Sequence, residues 1–88
     1  MNISYAPQFR RQFRKLHPDL QEEVIEKIEV FKDSKNYKQL KVHKLKGMFK
    51  KHHSFSVNYQ YRILFQYLDK GKSEAVLLVI GDHDVYKD

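Results

Sequence analysis

The chain has 88 residues, 41% hydrophobic and 14% aromatic, which is enough apolar material for one packed domain over residues 1–88 and too much for a disordered chain. It has no cysteine, which excludes a disulfide framework and any thiolate metal site. A formal net charge of +6 points towards polyanionic or acidic partners, and no apolar run approaches the length of a membrane span.

In chain order, "NISY" predicts a short first strand. The segment "MNISYAPQFRRQF" carries charge where a secretory leader needs an apolar run, so a cytoplasmic protein is expected. Pro7 suits the first turn of a helix, where its missing N–H costs nothing. Phe9, Phe13 and Leu16 share one face of that helix, and Arg10, Arg11, Arg14 and Lys15 cover the rest. His17-Pro18 breaks it and starts a second helix with a buried stripe of Leu20, Val24, Ile28 and Phe31, Ile25 lying beside it. The two helices are expected to form an antiparallel hairpin packed through their apolar faces, and "DSKNY" to end the helical half.

"LKVHKLKG" alternates weakly and predicts a short edge strand. "HHSFSVNY" alternates clearly, with His53, Phe55, Val57 and Tyr59 on one face and His52, Ser54, Ser56 and Asn58 on the other. "YRILFQYL" predicts the next strand, "DKGKS" a hairpin turn around Gly71, and "EAVLLVIG" a central strand apolar on both faces. The expected fold class is α+β: an N-terminal strand and a two-helix hairpin packed on a curved, mostly antiparallel sheet of four to five strands.

Charge is divided along the chain. Asp19, Glu22, Glu23, Glu26, Glu29 and Asp33 crowd the second helix, whereas no acid occurs from Ser34 to Leu68. That stretch carries Lys35, Lys38, Lys41, Lys44, Lys46, Lys50, Lys51 and Arg62, with His43, His52 and His53 among them. A surface of one sign attracts polyanions, although a solvated, solubilising face has the same composition.

The central strand is expected to end at Gly81, whose freedom permits a sharp exit that delivers His83 to a rim beside Asp82, Asp84 and Tyr86. Histidine can give and take protons near neutrality. Arg62, at the start of the neighbouring strand, offers a permanent fork of donors to a phosphate. These are the parts of a metal-free RNA-cleaving site: a base for the ribose 2′-OH, cations for the phosphorane oxygens and an acid for the leaving 5′-oxygen. His83 could equally cap a strand, and His43 could be an ordinary surface residue. His52 and His53 point to opposite faces of a strand, so no metal or other cofactor is expected. Tyr59, Tyr61, Phe65 and Tyr67 could stack on bases, but Phe65 and Tyr67 are expected in the core, and Tyr61, beside Arg62, is the better candidate for contact with a base.

The order of elements, with "VHKLKG", "SFSVNYQYRILFQYLD" and "VLLVIGDHDVYK", resembles the RelE/ParE superfamily of toxins from bacterial toxin–antitoxin pairs, over nearly the whole chain. The resemblance is to the RelE/YafQ-like branch. It implies an mRNA endonuclease acting in the ribosomal A site, with mRNA, the ribosome and a cognate antitoxin as partners. By the same resemblance Arg62 would stabilise the phosphate, His83 would act as general acid or acid–base, Tyr86 would place the substrate, and His43 would correspond to the first histidine of the YafQ-type pattern. Lys44, Lys46, Lys50, Lys51, His53 and Tyr61 would contact RNA. Ser56 and Gln60 stand where that pattern has a second histidine and an aspartate, which leaves the general base open, with His53 as a substitute. Two alternatives share the fold: a ParE-like toxin that poisons gyrase without catalysis, and a decayed RNA- or partner-binding module.

Overall fold

The computed structural model describes residues 1–46 and 51–82 of the chain. Asn2–Tyr5 form strand β1, and Pro7 then opens helix α1 (Pro7–Arg14). Side chains build the break that follows. The Nδ1 of His17 accepts the backbone N–H of Asp19 at 3.1 Å, capping helix α2 (Pro18–Phe31), and Gln21 Nε2 donates to the Phe13 carbonyl at 2.9 Å, satisfying one of the last carbonyls of α1.

The helical half runs further than "DSKNY" implies. Asp33 Oδ1 accepts from the Lys35 N–H at 3.0 Å and opens a 3-10 turn, Ser34–Asn36, which leads into the single-turn helix α3 (Tyr37–Leu40). Tertiary contacts hold so short a helix: Leu40 is buried, and the Tyr37 ring stacks on Phe31 with centroids 5.5 Å apart. The helix closes on Lys41 in the left-handed conformation, φ 57°.

The remaining strands are β2 (His43–Lys44), β3 (His53–Ser56), β4 (Tyr61–Tyr67) and β5 (Glu74–Asp82). Among the described residues the sheet order is β1-β5-β4-β3-β2, with β1 parallel to β5 and every other pair antiparallel. The expected α+β architecture is therefore present, with β1 and β2 at the edges, β4 in the middle and β5 inside the sheet between β1 and β4. The β4–β5 turn is organised by Asp69, which accepts the N–H groups of Ser73 and Glu74 and the Ser73 hydroxyl; these bonds, the hydroxyl's first, hold its carboxyl below the usual carboxylate range.

Two features of β5 differ from the sequence pattern. Leu64 pairs with Val79 and Phe65 with Leu77, so Leu78 is an extra residue, and the alternation slips there. Ala75, Leu77 and Ile80 consequently all reach the core, and the Ile80 N–H donates to Gln12 Oε1 of α1 at 2.9 Å. The strand also does not leave the sheet at Gly81. It continues to Asp82, because Arg62 pairs with Gly81 and Tyr61 with Asp82, and the ladder with β4 carries the backbone on.

Phe9, Val24, Ile28 and Phe31 of the helices meet Phe55, Ile63, Phe65 and Leu77 in one core on a single face of the sheet. The helices therefore spend their apolar stripes on the sheet as well as on each other. Phe31 lies flat on Phe55 at 4.3 Å and edge-on to Phe65 at 4.7 Å. Each such ring stabilises by about 1.5–3 kcal/mol through burial alone. The opposite face buries a smaller cluster of Leu45 and Leu64, packed with Val79.

Candidate functional site

The β3–β4 turn is bonded on every side. The Val57 N–H donates to the Tyr61 carbonyl at 3.0 Å. Asn58 Oδ1 accepts the N–H groups of Gln60 and Tyr61, both at 2.8 Å, while its Nδ2 donates to Glu23 Oε1 of α2 at 2.6 Å. Arg62 Nη1 donates to the carbonyls of Asn58 at 2.7 Å and Tyr61 at 3.2 Å. Both bonds come from one of the three guanidinium nitrogens, so the fork keeps donors for an oxyanion.

Around this turn lies an open hollow of about 300 Å³, whose lining includes Glu23, Lys27, Lys41, Ser56, Tyr59 and Arg62. Three cations face one carboxylate, and that carboxylate already accepts from Asn58. The Ser56 Oγ is buried and has no hydrogen-bond partner among the described residues.

Sheet register relates Arg62 to His43. Arg62 lies opposite Ser56 on one side and Gly81 on the other; His43 lies opposite Ser54, which lies opposite Leu64. The two rows are neighbours on the face away from the helices, with the backbones of His43 and Arg62 roughly 12 Å apart by strand spacing and rise. His43 Nδ1 sits 2.9 Å from the Lys41 carbonyl. A carbonyl only accepts, so Nδ1–H is the donor in this contact, and Nε2 is the ring nitrogen left to face a substrate.

Other predicted residues fall elsewhere. Lys44 pairs with His53 across the sheet, on the row shared with Phe65. The His53 ring lies 5.5 Å from Phe65 and edge-on to Tyr67 at 4.9 Å, and its Nδ1 is buried without a hydrogen-bond partner among the described residues. Burial, followed by repulsion from Lys72, Lys44, His43 and His52, lowers its pKa from the ordinary 6.5. His53 and Arg62 thus occupy opposite faces. Tyr67 belongs with the core, as expected, and burial together with a bond to the Tyr37 hydroxyl raises its pKa. Tyr61 also packs against the main core, whereas Tyr59, which alternation puts on one face with Phe55 and Val57, is 89% exposed. Lys46 and Lys51 are on the surface. His83, Tyr86 and Lys50 lie outside the described residues.

The sequence pattern did not single out two cations of the hollow, Lys27 and Lys41, as contacts, and it placed Tyr59 among the aromatics able to stack on a base but behind Tyr61. Asn58 and Gln60 around Tyr59 are turn-forming and polar, a usable signal that the strand has ended. Lys27 comes from the acidic helix, and no spacing rule links it to Arg62. Among the described residues, no group of three or more His, Asp or Glu side chains is arranged to hold a metal ion.

A second concavity, about 580 Å³, runs between α1 and α2 and is lined by Tyr5, Phe9, Phe13, Ile25 and Ile28 with Arg10 and Arg14. Ile25 is 53% exposed there, rather than closed into the helix pair.

The model of the HigB-like toxins, the RelE-like toxins of the type II toxin–antitoxin system HigB, matches residues 6–83. The chain belongs to this family. The HigB-like toxin is thus a RelE-like toxin of a type II toxin–antitoxin system, in agreement with the resemblance to the RelE/ParE superfamily. No curated protein matches its sequence. Its fold is similar to that of a chain in the RelBE2 toxin–antitoxin complex of Mycobacterium tuberculosis, at 19% identity and a TM-score of 0.70, covering 92% of this chain and 95% of that one. A chain of the intact Escherichia coli RelBE complex gives 20% identity and 0.68, covering 92% and 94%. A chain of the YoeB-YefM complex of Staphylococcus aureus gives 16% and 0.70, covering 94% and 97%.

Proposed function

We propose that this HigB-like toxin is an endoribonuclease that cuts mRNA in the ribosomal A site and so arrests translation. The observation that carries the reading is the shared sheet face: His43, whose Nδ1 is engaged by the Lys41 carbonyl so that Nε2 is left for a substrate, and Arg62, with spare donors beside a cationic hollow, occupy adjacent rows. Protein groups suffice for the reaction. A base takes the 2′-OH proton, the 2′-oxygen attacks the adjacent phosphorus, and the P–O5′ bond breaks as an acid protonates the leaving oxygen. Arg62 would hold the phosphorane oxygens, and His43 and His83 would share the proton transfers. Tyr86 and the lysines 44, 46, 50 and 51 would position the strand. RNA is selected because DNA has no 2′-OH. An A-site target makes the toxin cytoplasmic.

A cognate antitoxin is the second partner in this reading. Family membership supports it, as do the toxin–antitoxin complexes to which the fold is similar. The apolar groove between α1 and α2, with its arginines, suits an amphipathic acidic helix of such a partner.

The test is to express the toxin and its His83→Ala and Arg62→Ala forms briefly in bacteria and to map mRNA 5′ ends. Codon-phased ends should appear with the wild type and fall about a hundredfold in the Arg62 variant. Circular dichroism would check that the variant, which also loses two turn hydrogen bonds, still folds. Equal arrest by all three forms, or DNA damage with intact mRNA, sinks the proposal; the latter would indicate a gyrase poison.

A further inference from the structure

Tyr59 leaves 89% of its surface in water, although a tyrosine ring is among the largest apolar groups a core can use. A loose loop tip would explain such exposure, but this turn is not loose. Its backbone is bonded across Val57 and Tyr61, its asparagine is bonded to Gln60, Tyr61 and Glu23, and Arg62 clasps its carbonyls. A ring carried on so constrained a backbone loses little further entropy when a planar partner settles on it. Its surroundings indicate the kind of partner. Lys27, Lys41 and Arg62 line the same hollow, so the ligand combines a flat aromatic face with negative charge. Bases inside a duplex are already stacked on each other, so the partner is an unpaired nucleotide.

We propose that the hollow at the β3–β4 turn is a nucleotide subsite for single-stranded RNA, in which Tyr59 stacks on an unpaired base while Arg62, Lys41 and Lys27 hold the adjoining phosphate. The proposal rests on the reading of this toxin as an RNA-directed protein, though not on cleavage. Tyr59 is a positioning residue here: it grips the strand beside the phosphate that Arg62 engages. Its position in the turn would make it read stacking strength in preference to sequence.

The experiment measures binding of the full chain to two uncleavable probes, a short 2′-O-methyl oligoadenylate and an abasic phosphodiester of the same length. Tyr59→Ala should weaken binding to oligoadenylate by about fivefold to a hundredfold, the range of base–aromatic stacking, and Tyr59→Phe should restore it. On the abasic strand all three proteins should bind alike, because only phosphates remain. Equal affinity of wild type and Tyr59→Ala for oligoadenylate overturns the subsite. So does a Tyr59→Ala loss of the same size on both probes, a wild type that does not distinguish the probes, or a wild type that binds neither. Because neither probe can be cut, a toxin that binds in this way yet leaves mRNA intact would refute the nuclease alone; one that cleaves mRNA yet shows no base-dependent role for Tyr59 would refute the subsite alone.

Discussion

The ring of His53 lies against Phe65 and Tyr67 with its Nδ1 buried, and Lys72, Lys44, His43 and His52 add positive charge around it. Both effects favour the neutral imidazole, so its folded-state pKa lies below the unfolded value of 6.5. The sign follows from proton counting. Below pH 6.5 the unfolded chain takes up the proton more readily, so the stability present above that value is lost as pH falls through the folded pKa. Urea unfolding from about pH 7 to about pH 5 should show a falling midpoint for the wild type and a flatter one for His53→Phe. Parallel curves would refute the assignment of His53 to the aromatic cluster. Sequence alternation could place His53 on a strand, but the strand's pairing partners decide whether the ring meets solvent or Phe65.

Helix α3 ends on Lys41 at φ 57°, a conformation that costs a residue with a Cβ about 1–2 kcal/mol relative to the right-handed region. Lys41 also lines the hollow of the β3–β4 turn. The element's stability and the proposed RNA contact therefore pull against each other at one position. Lys41→Gly should raise unfolding stability by about 0.5–1 kcal/mol in a urea titration, since glycine accepts that backbone freely but loses more entropy on folding. The same variant should bind single-stranded RNA several-fold more weakly. A variant that is neither more stable nor weaker in binding would show that the lysine is kept for another reason. The helix itself was not legible in "DSKNYKQL", because one turn has too little periodicity to detect and owes its existence to the burial of Leu40 and the stacking of Tyr37 on Phe31.

Across the whole molecule, acids concentrate on α2 and cations on the segment from Ser34 to Leu68, yet the hollow draws Lys27 from the acidic helix and engages Glu23 through a hydrogen bond from Asn58. RNA affinity should therefore fall with salt, with a log–log slope of about −0.7 for each phosphate the cationic surface neutralises. A flat salt dependence of oligonucleotide binding would exclude a phosphate-tracking surface. The order of the long elements, the stripe from Val24 to Phe31, the hairpin at Gly71 and the division of charge were all determined by the sequence alone, because each depends on neighbours a few residues apart. Only the tertiary structure decided that Tyr59 is exposed and Tyr61 packed, that the extra residue at Leu78 shifts the alternation of β5, and that β5 runs on through Gly81 opposite Arg62. The physical reason is that strands have a period of two. One inserted residue, or a turn begun one position earlier, sends side chains to the other face, and that register is set by partners far away in the chain.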